Sequence, residues 1–92
     1  MYEYVATTAF SKDFKGYARN SRYPKFQETF STVLPYLLSR NPLPRKYMEH
    51  KLKGKYLGFN ECHLAPDLLL IFRYKNNYVE LARLGSHSEL FK

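Results

Sequence analysis

The chain has 92 residues, 45% of them hydrophobic and 17% aromatic, which suits one small domain burying somewhat over ~60% of its unfolded surface and is too little for two. Fifteen Lys and Arg against eight Asp and Glu give a net charge of +7, which favours a polyanion or an acidic protein as partner. A single cysteine excludes an internal disulfide, the opening residues do not read as a leader, and the longest apolar run, 68–72, is far short of a membrane span, so a soluble protein of the reducing cytoplasm with no membrane partner is expected.

Residues 2–7 are rich in β-formers and alternate Tyr2, Tyr4 and Ala6 against Glu3 and Val5, which predicts a first strand. Thr7 and Thr8 offer an N-cap for a helix to about residue 19. Phe10, Phe14, Tyr17 and Ala18 share one face of it, and Lys12, Asp13 and Lys15 take the opposite face as a solvated surface. Asn20-Ser21 interrupts the pattern. Pro24 suits the first turn of a second helix to about residue 40, with Phe26, Phe30, Val33, Leu34, Leu37 and Leu38 as its apolar stripe. Pro35 removes a helical hydrogen bond and predicts a kink or an end near Leu34.

Asn41-Pro-Leu-Pro44 reads as a loop and delivers a basic segment. Arg45, Lys46, Lys51, Lys53 and Lys55 put five of the fifteen basic residues into eleven positions around His50, opposed only by Glu49. Strands are expected over 56–64, 68–75 and 78–84, with turns at Ala65-Pro66-Asp67 and at Asn76-Asn77, a pair that tolerates the positive φ of a tight hairpin. One helical turn follows Ser86. The two amphipathic helices form a hairpin whose apolar face needs a sheet to cover it, so the expected fold is α+β. It comprises an N-terminal strand, a two-helix hairpin on a small antiparallel sheet and a short C-terminal helical turn, in one domain over 1–92.

His50, His63 and His87 are the only histidines, and with Asp67 they fall on loops or strand ends. Imidazole accepts and donates protons near neutrality, and such a cluster beside a basic surface suggests acid and base catalysis on a phosphodiester. RNA carries its own nucleophile in the 2′-OH. A site for it needs a base for that proton, a cation for the phosphorane and an acid for the leaving 5′-oxygen, and no metal. The same four residues have the chemistry of zinc ligands, but the spacings of 13 and 24 residues between the histidines match no compact ligand motif. Cys62 beside His63 is a small core hydrophobe or a reactive thiol. The plain alternative is that each histidine is a surface or capping residue.

His50-Lys-Leu-Lys-Gly54, Gly58-Phe-Asn-Glu-Cys-His63, Pro66-Asp67-Leu-Leu-Leu-Ile-Phe and Arg83-Leu-Gly-Ser-His87-Ser-Glu-Leu-Phe91 together resemble the YafQ branch of the RelE/ParE toxin superfamily. The resemblance implies a RelE-like fold and the toxin of a type II toxin–antitoxin system, an mRNA interferase that cleaves mRNA in the ribosomal A site without a metal or other cofactor. It implies a cognate acidic antitoxin, with mRNA and ribosomal RNA as further partners. Carried over by position, it places His50, His63, Asp67 and His87 in the catalytic site and Phe91 against the RNA. His87 is then expected as general acid, Asp67 as base or its orienting partner, and His50 and His63 as base and transition-state stabilisers. Lys51, Lys53, Lys55 and Arg83 offer charge to the RNA backbone, with Arg73 on the edge of that surface. Leu68 stands where the family often has a large aromatic, which removes a stacking surface. Two other classes compete: a non-enzymatic basic RNA-binding module, indifferent to the histidines, and a gyrase-inhibiting ParE-like toxin, which has no need of them.

Overall fold

A computed structural model describes residues 2–19 and 22–91. Strand β1 (Glu3–Ala6) leads into helix α1 (Thr8–Ala18), and α2 (Phe26–Ser39) follows. The rest of the chain forms β2 (His50–Lys51), β3 (Asn60–Ala65), β4 (Leu68–Lys75), β5 (Tyr78–Gly85) and α3 (His87–Leu90), with 3-10 turns at Arg45–Tyr47 and Gly54–Tyr56 on either side of β2. The strands make one sheet in the order β1-β5-β4-β3-β2. β2 to β5 pair antiparallel and β1 joins β5 in parallel. The expected α+β architecture is present, with a parallel edge strand added to the antiparallel set.

β4 lies at the centre, which accounts for its unbroken apolar run. Leu68, Leu70 and Phe72 pack on the helix side with Phe10, Phe26, Val33 and Leu37, while Leu69 and Ile71 pack with Leu90 on the other side. A strand covered on both faces carries no polar alternation. Each of these side chains is worth about 1.5–3 kcal/mol when fully buried.

Thr7 caps α1, accepting from the Phe10 N–H at 2.9 Å, and its hydroxyl donates to the Ala82 carbonyl at 2.8 Å. Phe14 meets Phe26 and Phe30 of α2 edge to face at ring separations of 5.1 and 5.5 Å. Asp13 does not lie on a solvated face as expected. β1 pairs with β5 only as far as Leu81, and beyond that point α1 runs along the open edge of β5. The Asp13 carboxylate accepts there from Arg83 Nε at 2.8 Å and from the Leu84 backbone N–H at 3.0 Å. Thr7 and Asp13 thus do with side chains what a longer β1 would do with backbone.

α2 runs through Pro35 to Ser39 and does not end near Leu34. Pro35 and Ser31 are both exposed, so the carbonyl left without an N–H partner can bond water. Buried Val33 and Leu37 hold the helix on either side of it. The helix begins at Phe26, two residues later than Pro24 suggests, and closes with Arg40 at φ 57. The expected break at Asn20-Ser21 lies outside the described residues. β3 starts at Asn60 and not at 56, because Gly54 and Gly58 take φ of 67° and 91°, a region in which a strand cannot continue and a Cβ is unwelcome. The hairpin at Asn76-Asn77 forms as expected, with Asn76 at φ 57. Among the described residues no helix is long and apolar enough to cross a membrane.

Candidate active site

Successive residues of β3 point to opposite faces of the sheet. Cys62 and Leu64 enter the helix-side core, which leaves Glu61 and His63 on the face that carries Leu69 and Ile71, their cross-strand partners. β2 pairs His50 directly with Glu61. One carboxylate oxygen, Glu61 Oε2, lies 3.3 Å from His50 Nε2 and 3.3 Å from His63 Nε2. The Glu61 side chain is 3% exposed, against 14% for His63 and 52% for His50, so the carboxylate is buried with an imidazole on either side. His50 Nδ1 donates to the Met48 carbonyl at 3.0 Å, which directs its Nε2 to Glu61.

A second unit stands beside the first. The β3–β4 turn presents Asp67, and the end of β5 delivers His87 as the first residue of α3. Asp67 Oδ1 accepts from the His87 backbone N–H at 3.2 Å and from His87 Nδ1 at 3.1 Å. These bonds, the backbone one foremost, hold the Asp67 carboxyl below the usual carboxylate range. With Nδ1–H committed to Asp67, Nε2 of His87 is the nitrogen available to give or take a proton. The His63 and His87 rings are 6.1 Å apart, so the two units form one cluster. Phe91 is 37% exposed, lies 5.8 Å from the His87 ring and meets Tyr56 edge to face at 5.4 Å. An open groove of about 580 Å³ between Thr29 of α2, Lys46, Met48 and Pro66 touches the cluster at His63 alone.

Local sequence explains how α3 holds His87 in place. Ser86 Oγ accepts from the Glu89 N–H at 3.3 Å and Glu89 Oε1 from the Ser86 N–H at 2.9 Å, a capping box that starts the helix. Gly85 precedes it without crowding, whereas a Cβ there would sit 3.1 Å from both Glu89 Oε1 and Leu90 Cδ2 and push these side chains back by a few tenths of an ångström.

All four residues expected in the site, His50, His63, Asp67 and His87, therefore meet on one face. Glu61 was missed by sequence reasoning, although its place two residues before His63 in a strand is the signal that they share a face. Lys51, Lys53 and Lys55 are exposed on the segment around β2, with Lys55 Nζ 5.2 Å from the Tyr56 ring centroid. Arg83 is bound to Asp13 through Nε and Nη2, and Arg73 is paired with Glu80 and lies over Phe59. Leu68 is fully buried and offers no face to a base. Cys62 is fully buried as well, and burial pushes its thiol well up, which leaves it a core hydrophobe and not a nucleophile. Among the described residues no group of three or more His, Cys, Asp or Glu is arranged to hold a metal ion.

Solved structures that share this small α+β fold include bacterial toxins, one of them in a toxin–antitoxin complex. A family model described as "Bacterial toxin of type II toxin-antitoxin system, YafQ" matches residues 2–92, and the chain belongs to that family. It is 30% identical over 83 residues to the mRNA interferase toxin YafQ of Escherichia coli strain B, covering 89% of this chain and 87% of the relative. A copper-bound toxin from Helicobacter pylori superposes with a TM-score of 0.91 at 36% identity, covering 99% of this chain and 100% of that one. YafQ in the E. coli DinJ–YafQ complex superposes with a TM-score of 0.85 at 25% identity over the whole of both chains.

Proposed function

We propose that the chain is a ribosome-dependent endoribonuclease that cleaves mRNA in the A site by attack of the 2′-OH, with His and Asp side chains as acid and base and no metal. The observation that carries this reading is the 6.1 Å between the His63 and His87 rings, each ring held by its own carboxylate. A hydrogen-bond reach of ~2.6–3.2 Å from each lets both touch a single phosphate between them.

His63, with His50 beside it, takes the proton from the 2′-OH, and the oxygen attacks phosphorus. The protonated imidazole then balances charge on the phosphorane. His87 gives its Nε2 proton to the departing 5′-oxygen, leaving a 2′,3′-cyclic phosphate and a 5′-OH. Asp67 is the orienting partner of His87 and not the base, because a carboxyl held below its usual range is a weaker proton acceptor. Glu61 holds His63 through Nε2, which leaves His63 Nδ1 for the 2′-OH, while both ring nitrogens of His50 are taken up by Met48 and Glu61, so that His50 acts by steadying the carboxylate. Lys51, Lys53, Lys55 and Arg83 face the RNA backbones, Arg83 with part of its charge already committed to Asp13, and Phe91 stacks a base.

Acid and base catalysis accounts for ~10²–10⁴ in rate, so alignment of the 2′-oxygen must supply much of the rest. The ribosome provides it, and free RNA is a poor substrate. The partner that neutralises the toxin is an acidic antitoxin, partly disordered alone, in keeping with the net charge of +7 and with the DinJ–YafQ assembly of the relative.

The test is induction of the wild type and of His87→Ala in a bacterial host, with growth followed and new mRNA 5′ ends mapped. Growth arrest with cuts inside translated frames, both lost in a folded mutant, supports the reading. Equal arrest without cuts overturns it in favour of RNA binding or gyrase inhibition, which a supercoiling assay separates.

A further inference from the structure

α3 has four residues, too few to keep its own geometry, since an isolated helix of that length does not form in water. It nevertheless carries His87 at its start and delivers Phe91 at its end. Leu90 anchors it on one side, 1% exposed against Leu69 and Ile71. The other anchor lies in α1. The Tyr17 hydroxyl donates to Glu89 Oε1, the same oxygen that accepts from the Ser86 N–H in the capping box. One turn earlier on α1, Asp13 holds Arg83 and the Leu84 N–H just before α3 begins. Tyr17 itself is fixed by aromatic contacts with Tyr23 and Phe26 at 5.8 and 6.3 Å.

Resting on the nuclease reading above, we propose that Tyr17, acting through Glu89, is a positioning residue for the reaction: it sets the register of α3 and so the places of His87 and Phe91. The hydroxyl is the operative group. The ring stays packed without it, whereas Glu89 loses the contact that ties α3 to a helix 72 positions away in sequence. A small displacement of His87 acts on the rate, since a misplacement of about 1 Å costs on the order of 10²-fold, and it leaves ribosome binding through the lysines untouched.

Tyr17→Phe is the variant to make. Single-turnover cleavage of ribosome-bound mRNA is expected to show kcat lowered about tenfold with KM unchanged, and hydrogen exchange of the Leu90 and Phe91 amides about tenfold faster, while the melting temperature stays close to wild type. Glu89→Ala removes the cap as well and should fall further. In that background Tyr17→Phe should have no additional effect, because its route to the site is gone. Wild-type kcat in Tyr17→Phe overturns the proposal, as does a full additional loss in the Glu89→Ala background. If the wild type fails to cleave, the nuclease reading is what fails. The exchange data then decide the positioning claim alone, with faster exchange in Tyr17→Phe upholding the link and unchanged exchange overturning it.

Discussion

Glu61 and Asp67 are the carboxylates on which the histidines depend, and they depend on them differently. Glu61 is buried and touches two imidazoles through one oxygen, so Glu61→Gln keeps the volume and one acceptor but removes the charge that both rings face. The expected result is a fall in kcat of roughly 10- to 100-fold with little change in KM, read by single-turnover cleavage. Asp67 is half exposed and its carboxyl lies below the usual range because His87 bonds it. Glu89 is lowered in the same direction, first by the Ser86 N–H and then by Tyr17. The folded state therefore binds fewer protons than the unfolded chain around these groups, and their stabilisation is complete above the ordinary carboxylate pKa of about 4 and is lost as pH falls through the folded values. Melting temperatures measured from pH 6 down to pH 3 should drop below about pH 4, and the drop should be shallower in Asp67→Asn.

At the scale of elements, α2 carries a proline without interruption, and this has a measurable cost. Pro35→Ala restores a hydrogen bond to the Ser31 carbonyl at an exposed position, so the protein should gain about 1–3 kcal/mol in chemical denaturation with cleavage unchanged. A loss of stability would mean that the proline ring makes a contact worth more than the bond. The helices, β4, β5 and the Asn76-Asn77 turn were legible because each announces itself locally, through a 3.6-residue stripe, an apolar run or residues that accept positive φ. β2 was not legible, since two residues carry no periodicity, and β3 is shorter than the expected 56–64 because nothing local announces that Gly58 takes a positive φ just before it. That His50, His63, Asp67 and His87 come together was legible from motif order. What escaped were side chains whose role is set by tertiary neighbours: Asp13 looks like a solvated helix residue until β5 runs past it, and the Tyr17–Glu89 contact joins positions that no local pattern relates.

At the scale of the whole molecule, the sheet divides labour between its faces. α1 and α2 cover one, and α3 with the 52–59 segment partly covers the other, where His50 and His87 of the histidine cluster stay exposed. Lys51, Lys53 and Lys55 lie at the β2 end of that sheet, so changing all three to Ala should weaken ribosome association and flatten its salt dependence, measured as the slope of log K against log salt. The account needs no metal, so toxin stripped by dialysis against EDTA should cleave as fast as untreated toxin when both are added to ribosomes in one magnesium buffer, and added zinc or copper should not raise the rate. The most direct test of the central claim uses ribosome-bound mRNA carrying a single 2′-deoxynucleotide on the 5′ side of the scissile bond. If the histidine cluster works by activating the 2′-OH, the deoxy message stays uncut while the ribo message yields a 2′,3′-cyclic phosphate. Equal cleavage of both would contradict the account, because the nucleophile would then have to come from elsewhere.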